Sequence, residues 1–301
     1  MSDIKLFQIK NNTVKELEGK SVQIEKSLQT LIENHLEEFL GIKFLATEYP
    51  TGVKHGGRID TLGVDENNCP VIIEYKRSTN ENVINQGLFY LDWLLDHKAD
   101  FQLLVQKKLG QKTSESIEWA ASRMICIAGD YTKYDSYAVE QINRNIELYR
   151  YKKYDDLLLL ELVNSTSDTK TDKPTKSSAS KQKYSTVSEL LEKADQKTRD
   201  LYVMVKEFIM NLGENVQYKE LLYYYAFLKI KTFASVEIRP QKSQVIVYLK
   251  LDSKSVTFEK GFTRDVSNIG HLGVGNVEIK INNEEDFEKA KPLILKSYEA
   301  N

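Results

Sequence analysis

Cysteine is scarce in this chain of 301 residues: there are two, Cys69 and Cys126. Two thiols build no disulfide framework, so the expected setting is reducing and cytoplasmic. No C-x-x-C or H-E-x-x-H spacing occurs, and the four histidines, His35, His55, His97 and His271, are scattered. Structural or hydrolytic zinc is thereby disfavoured. An excess of charge of one sign is also lacking, with 42 Lys+Arg against 44 Asp+Glu and a net charge of −2. Any face for nucleic acid must therefore come from local clustering. No apolar run approaches the roughly 18 residues of a membrane span, and the first residues do not read as a signal peptide.

What is present is an ordinary globular composition, 41% hydrophobic and 29% charged. The length suits one large or two medium domains. One stretch stands out. Gly56-Gly57-Arg58-Ile59-Asp60 is followed 14 residues after the aspartate by Glu74-Tyr75-Lys76. Ile59–Val64 alternates loosely, Asp65-Glu66-Asn67-Asn68 is a turn signal, and Val71-Ile72-Ile73 is a β-branched run suited to a strand buried on both faces. With Glu66-Asn67-Asn68 as a hairpin loop and Asn68 left-handed, Asp65 pairs with Cys69 and Asp60 falls opposite Glu74. Strand side chains alternate, so Lys76 shares the face of Glu74. A slip of one residue would separate the three. Two carboxylates and an ammonium on a central strand are costly to desolvate, and a divalent cation is one compensation. Mg²⁺ suits one or two carboxylates completed by water and phosphate.

Asp60, Glu74, Tyr75 and Lys76 in this order resemble the core of the PD-(D/E)XK nuclease superfamily, the restriction-endonuclease-like fold. Ile59 stands where the proline of that motif would be. Gln86-Gly87-Leu88-Phe89-Tyr90 is similar to the Q-x-x-x-Y motif in the following helix of several branches, the NucS-like one being nearest. The resemblance covers about residues 20–163. It implies an αβββαβ core and a Mg²⁺- or Mn²⁺-dependent nuclease. Asp60, Glu74 and the Tyr75 carbonyl would hold the metal, Lys76 would orient water or stabilise developing charge, and Gln86 would support. The first helix of such proteins often supplies an acidic ligand, and Glu25 falls near the apolar stripe of Ile24, Leu28, Ile32, Leu36 and Phe39. Glu25 at a frayed first turn, favoured by the helix dipole, is the other reading. His35 reads as a core histidine, and Glu33, Glu37 and Glu38 are expected to project away from the stripe.

Lys54, His55 and Arg58 place basic groups before the acidic cluster. Lys54, Arg58 and Tyr90 are the expected nucleic-acid contacts, with Arg58 free by parity to pair with Asp60 or meet a phosphate. Gln86 and Tyr90 also suit a simple interhelical hydrogen bond and a packed ring. Further elements are expected at Ile4–Ile9 with Val14–Leu17, Val22–Leu40, Lys43–Tyr49, Glu81–Leu95, Ala99–Leu109, Arg123–Ala128, Asp135–Asn145, Ile146–Tyr151 and Leu157–Val163. Gln111–Glu118 reads as loop.

The expected fold class is α/β, α+β overall: a mixed central sheet flanked by helices in residues 1–163, a flexible linker at 164–183, and a small α+β domain at 184–301. That last domain resembles one of unknown function that accompanies nuclease-like domains. Its tyrosines, Tyr223, Tyr224 and Tyr225, interleaved with lysines, suit either base stacking or a core. The expected partner is nucleic acid, DNA before RNA, with no membrane and with homodimerisation left open. The alternative function is a non-catalytic module, binding nucleic acid or protein, that keeps the nuclease fold.

Overall fold

The computed structural model describes residues 4–20, 25–52, 56–76, 83–166 and 185–301, with the side chain of Glu25 outside that set. The chain divides into two compact units, Met1–Lys170 and Thr171–Asn301.

The first unit begins with a hairpin of β1 (Leu6–Lys10) and β2 (Thr13–Leu17), turned by Asn11 and Asn12, both at positive φ. Two short helices follow, α1 (Glu25–Asn34) and α2 (Leu36–Leu40). The single expected helix is broken at His35, which is exposed rather than core. Leu28, Ile32 and Leu36 of the stripe are buried as their spacing requires. A six-stranded mixed sheet then forms from β3 (Ile42–Pro50), β4 (Arg58–Asp65), β5 (Pro70–Lys76), β6 (Arg123–Ala128), β7 (Ile146–Tyr154) and β8 (Leu157–Thr166), in that spatial order. β3, β4 and β5 form an antiparallel meander, β5, β6 and β7 run parallel, and β8 returns antiparallel. The start expected for the linker, 164, lies inside β8, and residues 167–184 are outside the described set.

Parallel pairs need long crossovers. β5 reaches β6 through α3 (Val83–Asp96), α4 (Lys98–Leu109) and α5 (Gln111–Glu115), and β6 reaches β7 through α6 (Lys133–Glu140). Gln111–Glu115 is thus helical where loop was expected. Val83, Ile84, Leu91 and Leu94 of α3 pack with Leu62, Val64, Ile72, Met124 and Cys126 of the sheet. Gly87 lets α3 come this close: a Cβ there would stand 1.9 Å from Met124 Sδ. α6 starts with a reciprocal cap between Thr132 and Asp135. α1 packs against β4 and β5.

A buried charge cluster closes the turn end of β4. Arg123 pairs with Glu147 and, at 3.4 Å, with Asp65 Oδ2. All three are buried, and Tyr149 donates to Glu147 at 3.1 Å. Such a cluster is tolerable because each charge is paired, although among the described residues Asp65 Oδ2 and Arg123 Nε have no hydrogen-bond partner.

The second unit is an antiparallel sheet in the order β13 (Thr263–Asp265), β14 (Val277–Ile281), β12 (Gln244–Leu249), β11 (Thr232–Arg239), β10 (Tyr225–Leu228), β9 (Gln217–Glu220). Its helices are α7 (Val187–Lys193), α8 (Gln196–Met210) and α9 (Glu284–Ala300). One sheet face, with Val236, Val245, Val247 and Ile279, meets Leu201, Val205, Ile209, Phe287 and Ile294. The other face carries charged pairs: Arg239 donates to Glu237 and Tyr248, and Arg264 donates to Glu278. Tyr224 and Tyr225 are buried, so the core reading holds for them and base stacking does not. Among the described residues, no helix is long and apolar enough to cross a membrane.

Candidate active site

The site begins with the turn between β4 and β5. Asn68 has φ of 61°, and its N–H donates to Asp65 O at 3.0 Å. Asp65 Oδ1 accepts from the N–H groups of Asn67 and Cys69, each at 2.9 Å. An aspartate at a turn start satisfies amides that the ladder cannot reach. The resulting register pairs Thr61 with Ile73, and one step further places Asp60 opposite Glu74.

At that step side chains replace the ladder. Glu74 Oε1 accepts from the Asp60 N–H at 3.1 Å, and Asp60 Oδ2 accepts from the Tyr75 N–H at 3.0 Å. Glu74 is fully buried and Asp60 half-buried. Among the described residues, Glu74 Oε2 is buried with no hydrogen-bond partner. Burial, and then the Asp60 charge, push the Glu74 carboxyl up to about 9. Burial also raises Asp60, opposed by the Tyr75 N–H and by Lys76. Lys76 is half-buried at the end of β5, and its charge acts on both carboxyls. The Tyr75 side chain points to the opposite face, where Thr61 Oγ1 lies 3.4 Å from its hydroxyl.

α1 holds the β4 backbone from that opposite face. Gln29 Nε2 lies 2.8 Å from Asp60 O, 3.0 Å from Glu33 Oε1 and 3.2 Å from Thr47 Oγ1. Glu33 accepts from Thr61 Oγ1 at 2.6 Å, so it turns toward the sheet and not away as expected. Sequence reasoning missed Gln29. Its available signal was the i,i+4 polar pair Gln29–Glu33 beside the apolar stripe.

The loop before β4 is tied at its ends. The Thr51 N–H donates to Gly57 O at 2.9 Å, the Gly57 N–H to Thr51 Oγ1 at 3.0 Å, and the Gly56 N–H to Gly52 O at 2.9 Å. Tyr90 closes over this loop. Its hydroxyl accepts from the Arg58 N–H at 3.2 Å and from Gln86 Nε2 at 3.3 Å. A Cβ on Gly57 would stand 2.7 Å from the Tyr90 ring, so glycine is required by the close approach. The buried Tyr90 therefore positions the strand that carries Asp60, and Gln86 reaches it through Tyr90. Arg58 is exposed and pairs with Glu48 at 3.6 Å, not with Asp60. Lys54 and the side chain of Glu25 fall outside the described residues. Among the described residues, no group of three His, Cys, Asp or Glu side chains is arranged to hold a metal.

A family model described as a domain of unknown function (DUF5655) matches residues 187–301. An uncharacterised protein of Haemophilus influenzae is 29% identical over 305 aligned positions, covering 97% of this chain and 98% of that one. Among solved structures, a repair endonuclease from Pyrococcus abyssi is 23% identical with a TM-score of 0.29, over 44% of this chain and 48% of that one. A complex of EndoMS with double-stranded DNA is 21% identical with a TM-score of 0.26, over 42% of this chain and 44% of that one. The chain thus spans less than half the length of either structure.

Proposed function

We propose that this protein is a metal-dependent nuclease that hydrolyses phosphodiester bonds, with DNA as its substrate. The observation that carries the reading is the Asp60–Glu74 pair: two carboxyls facing each other across paired strands, with Glu74 Oε2 buried and, among the described residues, unpartnered. Such an atom requires a proton or a cation. The donor set fits Mg²⁺ or Mn²⁺, which bind oxygen and accept two protein carboxylates with the remaining positions left to water and phosphate. Asp60, Glu74 and the Tyr75 carbonyl would hold the ion; when bound, it supplies Lewis-acid polarisation of the phosphate and acidifies water.

The chain's own residues do the rest. The Tyr75 N–H fixes Asp60, and the Asp60 N–H fixes Glu74, so neither carboxyl has to be ordered when substrate arrives. Lys76, on the face of Glu74, orients the nucleophile or offsets charge developing on the phosphate. Tyr90, braced by Gln86, holds the entry to β4 through the Arg58 N–H.

The test is incubation with single-stranded, double-stranded and branched DNA and RNA plus Mg²⁺ or Mn²⁺, beside Asp60→Ala and Lys76→Ala. Metal-dependent cleavage lost in both variants supports the assignment. Cleavage that persists in both refutes the site. Binding without cleavage by the wild type would instead favour a non-catalytic module.

A further inference from the structure

Glu48 lies in an unusual position. On edge strand β3, Thr47 pairs with Thr61 and Tyr49 with Ile59, so Glu48 falls opposite Asp60. Its φ is 48°, a left-handed conformation that non-glycine residues in a strand seldom take. Strain of this kind persists only where surroundings hold it, and it concentrates at functional positions. Here Lys26 of α1 lies 2.8 Å from Glu48 Oε1, and Arg58 Nε lies 3.6 Å from Glu48 Oε2. Lys26 Nζ also donates to Gln29 Oε1 at 3.1 Å, and the amide nitrogen of Gln29 bonds Asp60 O. Two cations from different elements thus share one carboxylate beside the acidic pair.

The arrangement has a chemical consequence. The Asp60 carboxylate repels a polyanion, so positive charge nearby helps a substrate strand approach it. The Lys26–Glu48–Arg58 group is net positive. Lys26 and Arg58 are 55% and 69% exposed, whereas Glu48, at 34%, is more enclosed. A carboxylate between two cations presents the oxygens that a phosphodiester would present.

Resting on the nuclease reading above, we propose that Lys26 and Arg58 form the seat for a backbone phosphate of the bound DNA strand, next to Asp60, and that Glu48 occupies this seat in the free protein. Phosphate displaces the Glu48 carboxylate on binding. Glu48 therefore sets how tightly the strand is held, and Lys26 and Arg58 set the salt dependence.

The experiment is an anisotropy titration of the full chain with a labelled DNA duplex and with its single strands, in Ca²⁺, across a salt series. Lys26→Gln and Arg58→Gln each reduce the slope of log K against log salt by about 0.9 on duplex and about 0.7 on single strands, with affinity about three- to fivefold weaker. Glu48→Gln tightens binding and leaves the slope no shallower. Circular dichroism confirms that each variant is folded, and cleavage by the wild type is assayed in parallel. A wild type that binds and cleaves, beside Lys26→Gln and Arg58→Gln variants with unchanged slopes, overturns the phosphate seat alone. Weakened binding in Glu48→Gln overturns the displacement role. A wild type that neither binds nor cleaves DNA overturns the nuclease reading on which the seat rests.

Discussion

Glu74 Oε1 accepts a hydrogen bond from the backbone N–H of Asp60, its opposite neighbour, at 3.1 Å. The carboxyl that would bind a cation is thus held by the backbone of the residue that would share it. Register, placement and electrostatics are one arrangement here, and the predictions start from it.

The first concerns pH. The Glu74 carboxyl is raised from 4.5 to about 9 in the folded chain. Between those values the folded state keeps a proton that the unfolded state has released. Stability from this group is present at low pH and declines as pH rises, by up to about 1.4 kcal/mol per unit. Glu74→Gln removes the penalty, so this variant melts higher than wild type at about pH 8 and alongside it near pH 4.5. Mg²⁺ raises the wild-type melting temperature at about pH 8, because a ligand of the folded state stabilises it, and leaves Glu74→Gln nearly unmoved. Thermal melts across pH decide this; parallel curves for the two proteins would sink it.

The Tyr90–Gly57 contact gives a second expectation. Gly57→Ala drives a methyl group into the Tyr90 ring and costs about 1–3 kcal/mol. Tyr90→Phe removes the acceptor of the Arg58 N–H and costs about 1 kcal/mol. The double substitution Gly57→Ala with Tyr90→Ala costs less than the sum of its singles, since the clash has lost its partner. Denaturant unfolding of wild type, Gly57→Ala, Tyr90→Ala and the double substitution measures the coupling. Strict additivity would show that the ring and the loop do not restrain each other.

Arg123 supplies a third. Arg123→Met leaves Asp65 and Glu147 buried without their cation, costing about 3–5 kcal/mol. The triple change Arg123→Met, Asp65→Asn, Glu147→Gln recovers much of that loss, because no uncompensated charge remains. Chemical denaturation reads both. Asp65 also caps the turn that fixes the register, so on the nuclease proposal Arg123→Met lowers cleavage beyond its loss of folded fraction. Full specific activity per folded molecule would refute that link.

Gln29 is argued to act through Asp60. Gln29→Leu keeps the volume but removes the donor to Asp60 O, at a cost of about 1–3 kcal/mol. On the nuclease proposal turnover falls, by more than any rise in KM from the lost Lys26 contact, since the residue braces the strand that carries the carboxyl. An unchanged kcat would reduce Gln29 to a packing role.

Much of the site's local geometry was legible because it rests on short-range rules. The turn residues Asp65–Asn68 and the period of two in strands suffice to place Asp60 opposite Glu74. Helix periodicity likewise gave the buried stripe of Leu28, Ile32 and Leu36. What escaped depends on tertiary context. Glu33 turns inward because Thr61 offers it a hydroxyl across 28 positions of sequence. His35 is exposed because the helix breaks there, which no single residue announces. Arg58 had the right parity for Asp60, but Glu48, drawn round by a left-handed backbone, meets it first. In the second unit, β10 was hidden in the aromatic-rich stretch Leu221–Ile230, whose rings obey neither period clearly.

The tied ends of the 51–57 loop have a consequence for how this protein can change. Thr51 and Gly57 are joined by backbone and hydroxyl hydrogen bonds, and Tyr90 holds the residue that follows. These stem bonds come from residues 51, 52, 56, 57, 58 and 90, none of them at positions 53–55. On the nuclease proposal, a recognition segment grafted between these tied ends leaves the hydrogen bonds that hold the start of β4 intact.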